Sequence, residues 1–359
     1  MNSELIRNDF PILKTKVGGH QIVYFDNAAT TQRPLPVVNA VLDYTTHENG
    51  NPHRGAHIFA ISASEAYDTS KEVVRDFIHA RSEKEIIYTR NTSESLNLVA
   101  RSYGETHLKA GDHILITIAE HHSNLVTWQR VAKKTGATLD YIYVDKETGH
   151  FPEEELKKID DPRVKLFAFA EVSNVLGIDF DPKPLIARAH AHGAIVVLDG
   201  AQSTPHKPVD VQDLDCDFFA FSGHKMCSMG GIGVLYGKEE LLNDMEPFLM
   251  GGDMIEDVHE QETTYAELPA KFEAGTQYVE GAVSLVAAIR YVQAIGFDEI
   301  RAQEKRLVTR CLEGMKKLPF IHIIGPTNPE EKEGLVAFEV EGVHPHDVAQ
   351  ILSAEGICI

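Results

Sequence analysis

Cysteine is scarce in this 359-residue chain: four residues, Cys216, Cys227, Cys311 and Cys358, with no CxxC spacing among them. That excludes a disulfide framework or a zinc knuckle and reads as free thiols in the cytosol. Positive charge is also in deficit, since 34 Lys and Arg face 54 Asp and Glu for a formal charge of −20. Such a surface repels polyanions, so nucleic acid is excluded and small-molecule or protein partners are expected. No run approaches the ~18 apolar residues that span a membrane. The first ten residues lack the basic start and apolar stretch of a signal peptide, which points to a cytoplasmic protein without a membrane partner. Neither GxxxxGK(S/T) nor GxGxxG after a strand occurs, so a nucleotide cradle has no support.

What remains is the composition of a soluble globular protein, 43% hydrophobic and 25% charged. At roughly 150 residues per domain the length suggests two domains. Short β-branched runs at 85–89, 112–117, 164–169 and 194–199 alternate with helical patterns at 93–103, 125–134 and 183–192. The runs are almost continuously apolar, as strands buried on both faces are. The alternation predicts an α/β fold with a mostly parallel, doubly wound sheet, whose ligands bind at the carboxyl ends of the strands. After residue 285 helical patterns at 282–295 and 298–317 lead into short strands at 321–324 and 335–340. A large domain over 18–285 is expected, with 1–17 and 286–359 forming a smaller α/β domain.

Chemistry concentrates at the ends of the apolar runs. Phe218 to Phe221 lead into Ser222-Gly223-His224-Lys225, with Gly230, Gly231 and Gly233 following. A lysine at the tip of a buried strand is poorly solvated, so its pKa falls, and a neutral amine is the species that forms an imine. Asp199 closes the apolar run 195–198, where a carboxylate is costly unless a cation faces it. A protonated pyridine nitrogen is such a cation, and Gln202 stands ready to hydrogen-bond the same ring. Tyr88-Thr89-Arg90-Asn91-Thr92-Ser93-Glu94 runs from a strand into a helix, with Asn91 and Glu94 spaced as a capping box; free N–H groups there suit a phosphate. His121 and His122 follow another strand. Neighbouring histidines diverge too much to share a metal, but one of them suits stacking on a flat ring. His190 and His192 share no helix face and are read as solvated.

These segments and others form an ordered series: Asp26-Asn27-Ala28-Ala29-Thr30-Thr31, His53-Arg54-Gly55, Glu120 to Asn124, Val172 to Gly177, Asp199 to Gln202, Ser222 to Lys225 and Phe272 to Thr276. The series resembles the class V aminotransferase superfamily, specifically the group II cysteine desulfurases of sulfur-mobilising iron–sulfur assembly, which are also similar to selenocysteine lyases. The resemblance spans essentially the whole chain. It implies fold type I of the transferases that use pyridoxal 5′-phosphate (PLP), and a homodimer. It further implies that Lys225 forms the Schiff base, Asp199 faces the pyridinium and Gln202 bonds the ring's O3′. His121 would stack on the ring, and Asn174 would sit on the O3′ and substrate side. Thr92, Ser93, Ser222 and His224 would hold the phosphate, and Thr276 the phosphate of the neighbouring subunit. L-Cysteine would be converted to alanine, with a persulfide passed to an acceptor protein.

The family's persulfide cysteine, in a motif like Arg-x-Gly-His-His-Cys, and a later carboxylate-binding arginine are not met by residue 359. Cys358 falls inside the strand before that motif and is read as a small packing residue. The chain is therefore read as truncated, with slow desulfuration and uncovered apolar surface expected. The alternatives are a non-catalytic PLP-binding partner subunit, a selenocysteine lyase or a class V transaminase. Smaller departures are Cys227-Ser228-Met229-Gly230-Gly231 after the lysine and Gln277-Tyr278 after Thr276.

Overall fold

The computed structural model describes residues 3–359. Seven strands form its central sheet: β1 Ile86–Thr89, β2 His113–Thr117, β3 Thr138–Ile142, β4 Val164–Ala170, β5 Ile195–Asp199, β6 Phe218–Ser222 and β7 Gly233–Gly237. Their order across the sheet is β1-β7-β6-β5-β4-β2-β3. Every pairing is parallel except those of β7, which runs antiparallel to both β1 and β6. Consecutive residues of one strand enter different cores: Phe167 and Phe169 pack on one side with Val196 and Leu198, and Leu166 and Ala168 on the other with Val197 and Trp128. Burial on both faces explains why the strands read as unbroken apolar runs. The parallel register aligns Ala170, Asp199 and Ala220, so neighbouring strand ends deliver their following residues to one rim.

The sheet is covered by helices that include α1 Leu35–His47, α2 Ile58–Phe77, α3 Thr92–Val99, α4 Val126–Thr135, α5 Pro182–Ala191 and α6 Val279–Ile295. Helix α6 buries Val279, Ala282, Leu285, Ala288, Ile289 and Val292, and the expected division at 285/286 falls inside it. Helix α7, Phe297–Met315, follows after a 75° bend. Strands β8 Ile321–Ile324 and β9 Ala337–Val340 then pair antiparallel. Val23 and Tyr24 pair in parallel with Ile357 and Cys358, so the two ends of the chain share a small sheet. Among the described residues no single helix is long and apolar enough to cross a membrane.

Three readings change. Strand β3 was not expected, because Thr138-Leu139-Asp140-Tyr141-Ile142 is a half-exposed edge strand without an apolar run. The capping box is displaced by one residue. Asn91 does accept from the Glu94 N–H (3.0 Å), but the Glu94 carboxylate reaches back to the N–H of Arg90 (2.6 Å). His190 is half-buried and paired rather than simply solvated: its Nε2 lies 2.8 Å from the carboxylate of buried Asp217, which raises its pKa.

Candidate active site

A cavity of about 540 Å³ opens at the carboxyl ends of β4, β5 and β6. Thr92, Ser93, His121, Asn174, Asp199, Gln202, Ser222, His224 and Lys225 all line it, brought in from separate turns. Thr276 does not line it; this residue is exposed on the loop before α6. Asp26, Ala28 and Ala29, given no individual role by the sequence reading, also border the cavity.

Strand β6 delivers Lys225 on a single tight turn, Gly223–Lys225. That turn is strapped from outside by the 26–31 segment. The carbonyl of His224 accepts from Thr31 N (2.9 Å), Thr31 Oγ1 (3.0 Å) and Thr30 Oγ1 (3.2 Å), while Cys227 N donates to Thr31 Oγ1 (2.7 Å). The ammonium-bearing end of Lys225 makes no hydrogen bond or ion pair among the described residues. Burial lowers its pKa, and the charge of Asp199 only partly opposes this. Asp199 itself is 4% exposed. Burial raises its pKa, offset first by the N–H of Ala201 (2.9 Å) and then by Lys225. A buried carboxylate with one backbone donor and no cation in contact is an unmet demand.

The neighbouring turns add complementary groups. Thr92 N donates to Ser222 Oγ (2.8 Å), and the two hydroxyls lie 2.7 Å apart at the start of α3. There the first N–H groups of the helix have no partners within it, and the positive end of its dipole favours an anion. Gly233 permits this approach, since a Cβ on it would lie 2.5 Å from Asn91 Cα. Gln202 donates Nε2 to Ala28 O (2.9 Å). Asn174 Oδ1 is buried without any partner.

His121 is anchored by a network the sequence reading missed. Its Nδ1 accepts from Ser123 N (3.2 Å) and sits 2.8 Å from Ser123 Oγ. Burial, then the charge of Lys225, lowers its pKa, so the ring is neutral with its proton on Nε2. Beside it the carboxylate of Glu120 contacts Thr117 Oγ1 (2.5 Å) and Asn124 Nδ2 (2.6 Å), and Asn124 Oδ1 accepts from Trp128 Nε1 (2.8 Å). Glu120 is 8% exposed, and burial pushes its pKa up to about 8. Glu120 is thus a second buried carboxylate, behind the His121 turn and not in the cavity lining, while Asp199 lines the cavity and feels the charge of Lys225. The i, i+4 spacing of Glu120, Asn124 and Trp128 was the available signal.

Taken together, the cavity offers an amine, a carboxylate awaiting a cation, an anion-binding helix end and an unpaired amide. A flat ring with a protonatable nitrogen, an electrophilic carbonyl and an anionic substituent fits all four.

Residues 23–359 match the family model described as aminotransferase class-V. A protein named probable cysteine desulfurase from Halalkalibacterium halodurans is 47% identical over 359 residues, covering 100% of this chain and 87% of that one. The apo structure of a cysteine desulfurase from Thermococcus onnurineus superposes with a TM-score of 0.93 at 42% identity, covering 99% of this chain and 86% of that one. A cysteine desulfurase from Escherichia coli gives 0.89 at 36% identity, covering 100% and 87%.

Proposed function

The chain belongs to the class-V aminotransferase family and, within it, to the cysteine desulfurases, and from that premise we propose that its strand-end cavity binds PLP and takes L-cysteine as substrate. The observation that carries this reading is Lys225, a half-buried amine pushed toward its neutral form, set near Asp199, a buried carboxylate with no cation in contact. Lys225 would hold the cofactor through Nζ. Asp199 would keep the ring nitrogen protonated, and His121 would lie on the ring. Gln202 and Asn174 would serve the O3′ side, with Thr92, Ser93, Ser222 and His224 at the phosphate. When bound, PLP supplies an electron sink for charge developing at the substrate's α-carbon. A neutral Lys225 is suited to moving the proton at that carbon. His121, its pKa lowered first by burial and its Nδ1 occupied by the Ser123 N–H, leaves an N–H on Nε2 for donation. Alanine would be one product, and the substrate sulfur would leave on an attacking thiolate as a persulfide bound for an acceptor protein; no cysteine lines the cavity among the described residues, so alanine release by this chain is expected to be slow.

A homodimer completes the reading. Thr276 lies outside its own cavity, on a loop where Gly275 N donates to Gly252 O (2.9 Å). Met250 nearby in sequence is 64% exposed, and so is Ile58 at 67%, beside the 53–55 segment whose Arg54 pairs with Asp253. Exposed apolar side chains on both of these segments support self-association that presents Thr276 to a partner's cavity.

The test is alanine release from L-cysteine by PLP-loaded protein, set against Lys225→Ala. Alanine above the level of the variant is expected. Turnover of selenocysteine alone, or amino transfer to a keto acid without alanine from cysteine, would overturn the reading in favour of a lyase or a transaminase.

A further inference from the structure

Lys332 lies in the loop between β8 and β9, in a charged stretch, Glu330-Glu331-Lys332-Glu333, that reads as solvated surface. It is instead 5% exposed. Its Nζ donates to two carbonyls, Leu176 O (2.9 Å) and Ile324 O (3.2 Å). No carboxylate is in ion-pair contact with it among the described residues, and burial alone lowers its pKa. A lysine withdrawn from water without a counter-charge is costly.

What the lysine holds is the turn bearing Asn174. That turn is internally stiff: Gly177 N donates to Ser173 O (2.9 Å), Ser173 N to Ile178 O (3.1 Å), and Ser173 Oγ accepts from Leu176 N (3.1 Å). The β8–β9 loop grips it at adjacent points, because Glu333 N also donates to Gly177 O (2.7 Å). Gly177 has a φ of +67°, and a Cβ on it would come within 2.9 Å of Leu335 O. Across the turn, Asn174 faces the cavity with its buried, unpaired Oδ1.

We infer that Lys332 is a positioning residue that sets Asn174 in the cavity by tying the Leu176 carbonyl to the end of β8. The inference rests on the reading of Asn174 as a cofactor-side residue. It makes the β8–β9 loop, remote from the cavity in sequence, a determinant of cofactor affinity.

The experiment is a PLP titration of cofactor-free protein, followed by absorbance, for wild type, Lys332→Met, Asn174→Ala and the double variant. Each single change is expected to raise the dissociation constant about tenfold, and the double variant is expected to match Asn174→Ala. Lys332→Met is also expected to shift the pH dependence of the bound cofactor's visible band in the direction that Asn174→Ala shifts it. Multiplying effects in the double variant would overturn the inference, assigning Lys332 a general structural role. Wild-type affinity in Lys332→Met would overturn it as well. Wild-type affinity in Asn174→Ala would overturn it by a different route, removing the reading of Asn174 on which it rests. If Lys332→Met does not fold, Gly177→Ala enters the same cycle, since its Cβ would press on Leu335 of the loop that grips the turn.

Discussion

Two regions of the sheet each hold a lysine away from bulk water, and they differ in what faces it. Beneath β1, Lys71 on α2 is 5% exposed and donates to Glu273 Oε1 (2.5 Å) and Ile86 O (2.9 Å). The Tyr88 ring lies 4.5 Å from its Nζ. Glu273 is saturated in turn by Tyr67 OH (2.8 Å) and Tyr88 N (2.6 Å). At the ends of β5 and β6, Lys225 and Asp199 feel each other's charge without contact, and each keeps unused bonding capacity. The closed pair belongs to the fold, whereas the open pair is poised for a ligand. Burial alone does not distinguish them; the state of their partners does.

The sharpest way to break this contrast is to delete each lysine. Lys225→Ala is expected to abolish covalent PLP retention and lower alanine release by roughly a thousandfold or more, with the fold intact by circular dichroism. Lys71→Met should do the reverse. Stripping Glu273 of its cation should cost about 3–5 kcal/mol in urea unfolding of the cofactor-free protein, while PLP still attaches to Lys225. If Lys71→Met instead leaves stability unchanged and removes PLP, the two regions have been assigned the wrong way round.

Much of this contrast was legible in the sequence, and the reason is energetic. Lys225 and Asp199 stood out because each ends an apolar run where an unpaired charge is expensive. The parallel sheet was legible because strands buried on both faces cannot hide their composition. Strand β3 was missed because an edge strand exposes one side. Lys71 and Lys332 were invisible because their partners, Glu273 and Leu176, lie far away in sequence. His190 was misread because its partner Asp217 comes from the start of β6, which pattern along one helix does not reveal.

Smaller effects sharpen the comparison within the open region. Asp199→Asn keeps the shape but loses the charge. Loss of a charge-assisted hydrogen bond predicts roughly ten- to a hundredfold slower alanine release, with PLP still attached to Lys225. An unchanged rate would show that Asp199 does not face the cofactor's cation.

Glu120→Gln tests the protonation of the carboxyl group behind the His121 turn. With its folded pKa raised from 4.5 to about 8, Glu120 keeps a proton that the unfolded chain releases. Its contribution therefore falls as pH rises from about 4.5 to 8 and is level outside that window. The melting temperature of Glu120→Gln, relative to wild type and without cofactor, should rise across that window by roughly 1–2 °C for each kcal/mol involved. A difference that is flat with pH would show that Glu120 is ionised in the folded protein.

The most direct test of the open-pair account is to load the protein with PLP, reduce with borohydride and map the modified peptide by mass spectrometry. The account predicts a pyridoxyl group on Lys225 and none on Lys71 or Lys332. A label on either of those lysines, or one spread over exposed lysines with Lys225 unmodified, would contradict it.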